Sequence, residues 1–171
     1  MEKFRRRQKV ITISLLVIYL FSLTWIILFK MTLSFNELPH LRNINLVPFS
    51  DSVIINNQID IEEIIQNIII FFPFGIYLNM LKPNWTFIKK VVPIASVSLL
   101  FEVLQFIFAI GATDITDFIG NTVGGIVGIG VYFMLCKLFK EKMKINKVLN
   151  ILASIGTVCA LGLVGLLILM N

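Results

Sequence analysis

Residues 91-VVPIASVSLLFEVLQFIFAI-110 form an apolar run with one carboxylate, Glu102, near its middle. A run of about 20 apolar residues is long enough to cross the hydrocarbon core of a bilayer as a helix. A charge at that depth costs about 2.5–3.5 kcal/mol on insertion scales, so Glu102 reads as a functional or tightly paired group. Gln105 lies three residues further on, on the same helical face. Directly beyond comes 111-GATDITDFIGN-121, with two more carboxylates and an amide.

The rest of the chain has the same character. Of its 171 residues, 57% are apolar and only 15% charged, and mean hydropathy is +0.91. A soluble domain holds roughly 25% charged residues. The composition points to a single polytopic membrane domain over 1–171, an all-α bundle of transmembrane helices. Five runs are long enough to span: 10–29, 64–81, 91–110, 118–139 and 148–170. The first follows the basic stretch MEKFRRRQK and is read as a retained signal anchor, because its apolar part is longer than a cleaved leader's and no A-x-A site follows.

Orientation is read from the basic residues. Segment 1–9 carries five Lys or Arg, segment 82–90 three, and segment 137–147 five. With five crossings all three fall on one side, which the positive-inside bias makes cytoplasmic. The N-terminus is then inside and the C-terminus, at Asn171, outside. The same placement explains the sequence pI of 9.4 without nucleic acid as a partner. Trp25 and Lys30 suit an outer interfacial anchor, and Tyr77 and Trp85 an inner one.

In this topology the intramembrane polar groups gather in the outer half. Glu102 and Gln105 lie past the midplane of the third span. Asn67 lies near the outer end of the second, and Asp114, Asp117 and Asn121 at the mouth of the fourth. The inner half reads as almost purely apolar. Asp114, Asp117, Asn121, Gly124 and Gly128 recur every three or four residues, as do Ser98, Glu102 and Gln105, so each set shares one helical face. With 111–117 as a short hairpin connection, these faces are expected to meet. Gly120, Gly124 and Gly128 allow close backbone approach, with the third span as the expected partner. Asp114 also suits a helix cap. Pro73, next to Gly75 in 71-FFPFG-75, frees the carbonyl of Ile69 and is expected to kink the second span.

These residues form a pattern that resembles the VanZ-like family of small bacterial membrane proteins. The pieces that carry it are 45-NLVPF-49, 67-NIIIFFPFG-75, 102-EVLQ-105 and 114-DITDFIGNTVGGIVG-128, and they cover roughly residues 43–135. The chain departs from the pattern at 111-GAT-113, where many members carry an arginine. The resemblance implies a cell-envelope role, since the family is named for a protein linked to resistance to teicoplanin-type lipoglycopeptides. It also singles out Asn45, Pro48 and Phe49 in the first outer loop, where Pro48 prevents a regular helix.

Three classes of function fit. The first is a non-catalytic envelope factor in the bilayer, which binds a lipid headgroup, a lipid-linked wall precursor or a lipoglycopeptide, or modulates a partner protein. The second is a membrane-embedded enzyme or metal site using Glu102, Asp114 and Asp117, since hard cations take oxygen ligands. The third is a small proton-coupled transporter in which Glu102 titrates. No motif calls for a cofactor or a dedicated metal. Cys136 and Cys159 read as small core residues at different depths, His40 as a solvated loop residue, and 148–170 as scaffold.

Overall fold

The computed structural model describes residues 2–29, 41–49, 54–55, 58–59 and 61–170. Lys30, His40 and Asn171, each given a role above, lie outside the described residues. Among the described residues there are five helices: α1 (Glu2–Phe29), α2 (Ile61–Leu81), α3 (Phe87–Phe108), α4 (Ile115–Phe139) and α5 (Lys142–Met170). All five are long and apolar enough to cross a membrane, and the chain is a multi-pass membrane protein.

Most of the helices extend beyond the apolar runs, because caps and not hydropathy set their ends. Thr86 caps the start of α3, four residues before Lys90. Asp114 caps the start of α4, and its side chain accepts from the amide of Thr116. Ala109 and Lys140 take left-handed backbone, φ 56° and 54°, where α3 and α4 end.

The closest packing is between α2 and α4. A Cβ on Gly124 would overlap the carbonyl oxygen of Ile68, and one on Gly128 that of Phe72. From the other side, a Cβ on Gly75 would overlap the carbonyl oxygen of Gly125. Gly120, Gly124 and Gly128 therefore face α2 and not α3, which corrects the expectation from sequence. The reason is reciprocal: two backbones touch only where both helices are small, and α2 contributes Gly75 while α3 contains no glycine. Helix α3 meets the same stretch of α4 through side chains, with Ile94 against Gly125.

Around this seam Phe71, Phe74, Leu78, Ile94, Phe101 and Ile129 are buried with Leu23 and Leu28 of α1. Phe71 and Phe101 meet edge to face at 6.4 Å between ring centroids. Helix α2 runs unbroken through Pro73. One residue beyond the carbonyl freed by the proline, the Ile70 carbonyl accepts from the Tyr19 hydroxyl at 2.6 Å. Tyr77 is 5% exposed and lies 5.7 Å from the Tyr19 ring, so it is a core residue and not an interfacial anchor. Trp85 is exposed, with the Lys82 ammonium 5.1 Å above its ring. Cys159 is exposed on α5 and Cys136 half-buried, so Cys159 is not a core residue.

Two features were not read from the sequence. The link between α3 and α4 is a strand, β4 (Ile110–Asp114), paired in parallel with β1 (Leu41–Asn45), so that Asn45 lies opposite Asp114. A two-residue pair, β2 (Ile54–Ile55) with β3 (Gln58–Ile59), precedes α2. In addition, the basic end of the bundle is not purely apolar. Thr12, Asn79, Lys90 and Asn150 are buried there. Thr12 donates to Asn150 at 3.1 Å, and the Lys90 ammonium to the Asn79 side-chain oxygen at 2.7 Å. Thr12, Asn79 and Asn150 sit singly in apolar runs and Lys90 closes a basic segment, and only packing puts them together.

Candidate functional site

Strand β4 turns back over the last turns of α3 and brings its polar end onto Glu102. The Thr113 hydroxyl donates to the Glu102 carbonyl at 3.0 Å, and the Asp114 amide donates to the Glu102 carboxylate at 2.9 Å. Glu102 is 3% exposed and points into the bundle, toward the entry of α4. Asp114, also 3% exposed, uses one carboxylate oxygen to accept from the Thr116 amide at 2.7 Å. Its other oxygen accepts from the Asn45 side-chain amide at 3.2 Å.

The 45-NLVPF-49 loop docks on the same spot. The Asn45 oxygen accepts from the Val47 amide at 3.1 Å. Beyond Pro48, Phe49 takes φ 60° and its amide donates to the Thr116 hydroxyl at 3.0 Å. Sequence reasoning did not single out Thr113 and Thr116. Their signal was local: an Asp two residues before a Thr at a helix start is a side-chain-to-backbone capping pattern.

A second group lies beside the first. The Asn67 amide donates to the Asp117 carboxylate at 2.7 Å. The glycine seam makes this possible, since a Cβ on Gly120 would sit 3.2 Å from that of Asn67. The third group is one turn deeper, where Asn121 donates to Ser98 at 3.1 Å. Gln105 turns toward α1 and donates to the Ile27 carbonyl at 3.2 Å. The side-chain oxygens of Gln105 and Asn121 are buried with no partner among the described residues.

Of the six residues expected to cluster, the hydrogen bonds described link Glu102 with Asp114 and Asn67 with Asp117, while Asn121 bonds Ser98 and Gln105 bonds the Ile27 carbonyl. Helical rise separates them, because Asn121 and Ser98 each lie one turn below the level at which Asp117 and Glu102 make their bonds. Asn67, Gln105, Asp114 and Asp117 line a cleft of about 360 Å³, with Gln66 and Glu63 at its rim. Glu102 lies behind this wall and braces it through Asp114. Among the described residues, no three His, Cys, Asp or Glu side chains are placed to hold a metal ion.

Asp114→Ala should lower stability by about 1–3 kcal/mol, through loss of the cap and of the Asn45 bond. Asp114→Asn keeps an acceptor for Thr116 and should lose less. Thermal unfolding in detergent measures both, and equal melting of the two variants would show that the cap contributes nothing.

The family model described as VanZ/LLP1 matches residues 16–140. Protein VanZ of Enterococcus faecium is similar to the chain, with 42% identity over 145 residues that cover 82% of this chain and 84% of that protein. No solved structure matches.

Proposed function

The chain belongs to the VanZ/LLP1 family, and from that premise we propose that it is a non-catalytic cell-envelope factor linked to teicoplanin-type resistance. In this reading the cleft between α1, α2, β4 and α4 receives a headgroup at the outer leaflet. With the three basic segments in the cytoplasm, as the positive-inside bias favours, the cleft opens outward.

One observation carries the reading: the cleft is lined by acceptors. Glu63, Asp114 and Asp117 are among its lining residues, and no Lys or Arg is among those described. Such a surface suits donors such as sugar hydroxyls, peptide amides or an ammonium group. A wall precursor would therefore be held by its sugar or peptide part, and a lipid by an amine-bearing headgroup.

The test uses the native host. Strains carrying Asp117→Asn or Glu102→Gln are compared with wild type and with a deletion strain for susceptibility to teicoplanin. Asp117→Asn is expected to match the deletion while membrane levels of the protein stay normal, and Glu102→Gln, which keeps the acceptor for the Asp114 amide, to match wild type. Wild-type susceptibility in Asp117→Asn, at normal levels, would remove the cleft from the function.

A further inference from the structure

The opposite end of the bundle holds a second site of opposite charge. On α3, Lys90 and Glu102 are roughly 18 Å apart along the helix axis, at 1.5 Å per residue. Two adjoining cavities open at the Lys90 end, of about 440 Å³ and 370 Å³, and both are lined by Tyr132 and Lys142. Arg5 and Lys9 of α1 line the larger, and Lys90 the smaller. No Asp or Glu is among the described lining residues of either cavity.

The site is built and is not merely a basic surface. Residues Arg5, Lys9 and Thr12 follow one face of α1, and Lys142, Asn146 and Asn150 one face of α5. The bond from Thr12 to Asn150 closes the floor between these helices at 3.1 Å, with both residues buried. Asn146 is fixed by the Tyr132 hydroxyl, which donates to its oxygen at 2.8 Å and leaves the amide hydrogens of Asn146 as donors. Lys90 is 8% exposed, and its ammonium has three hydrogens, one of which is given to Asn79. An enclosed ammonium without a carboxylate calls for an anion. The positive-inside bias accounts for basic residues on this side. It does not account for burying one of them against a cavity lined by two more, Lys137 and Lys142.

We infer that this basic double cavity binds a phosphate-bearing anion at the membrane surface. The shared chemistry is the phosphate oxyanion, carried either by an anionic phospholipid headgroup or by a soluble phosphate. Arg5 and Lys142 supply the charge at the mouth, and Lys90 and Asn146 supply donors further in. This site is separate from the acceptor-lined cleft and does not depend on the function proposed for it.

The test uses the full-length protein in detergent. Its melting is followed on addition of phosphatidylglycerol, phosphatidylcholine or inorganic phosphate, and retained lipid is identified by native mass spectrometry. Phosphatidylglycerol is expected to stabilise the protein and stay bound, and phosphatidylcholine to do neither. Stabilisation by inorganic phosphate alone, without selective lipid retention, would assign the site to a soluble phosphate. The double variant Arg5→Gln/Lys142→Gln should weaken binding about ten-fold or more, as loss of charge-assisted bonds does. The control Arg6→Gln/Lys144→Gln removes the same charge outside the cavities and should bind like wild type. Equal loss in the control would reduce the effect to surface charge and overturn the site. So would a wild-type protein that prefers neither phosphatidylglycerol nor phosphate, whether or not the variants fold.

Discussion

Gly124→Leu is expected to destabilise the bundle by about 3 kcal/mol or more, the upper end of the cost of overpacking. A Cβ at this position lies 2.8 Å from the Ile68 Cα and overlaps its carbonyl, so the obstacle is backbone and no side-chain rotation relieves it. Separating α2 from α4 would also draw Asn67 away from Asp117, because that bond depends on the same close approach. The control is Gly130→Leu on the same helix, where an added Cβ meets nothing within 4 Å. Membrane abundance and thermal unfolding in detergent should both fall for Gly124→Leu and hold for Gly130→Leu. Parallel behaviour of the two variants would mean that the α2–α4 seam does not support the fold.

Glu102 gives the second large effect, and its size depends on the replacement. In Glu102→Ala the buried Asp114 amide loses its acceptor, and a cavity opens where α3 meets β4. An unsatisfied buried donor costs about 1–3 kcal/mol, and Glu102→Ala should be destabilised by that amount or more. In Glu102→Gln the carbonyl oxygen still accepts from the amide while the costly charge is gone. That variant should remain within about 1 kcal/mol of wild type, the value of a single net hydrogen bond. Hydrogen exchange at the Asp114 amide gives an independent readout, with faster exchange expected in Glu102→Ala only. If Glu102→Gln were the less stable of the two, the charge itself would be holding the site together.

These two residues also mark how far sequence reasoning reaches. Glu102 stands out in any hydropathy trace, because a single carboxylate in an apolar run is conspicuous wherever it packs. That it braces Asp114 was not legible, because nothing near residue 110 announces a strand. Ile110–Asp114 reads as the tail of one span and a turn into the next. It becomes a strand through pairing with Leu41–Asn45, almost 70 residues earlier. Once that pairing is known, 45-NLVPF-49 makes sense. Asn45 and Phe49 are the points where the loop is tied to Asp114 and Thr116.

What the sequence determined by itself was everything local: five spanning helices, a membrane location, a family, and the residues that could not be ordinary lipid-facing groups. Spanning is a property of about 20 consecutive residues, and capping of about four, so both can be read along the chain. Tertiary structure decided which helix lies against which. To an apolar side chain, lipid and a neighbouring helix are nearly the same solvent, and periodicity therefore does not name the partner. The glycines of α4 announced a close contact, but only the matching Gly75 placed it on α2. In the same way Asn79, Thr12 and Asn150, each isolated in its own apolar run, and Lys90 at the edge of a basic segment became one polar end only when four helices brought them together.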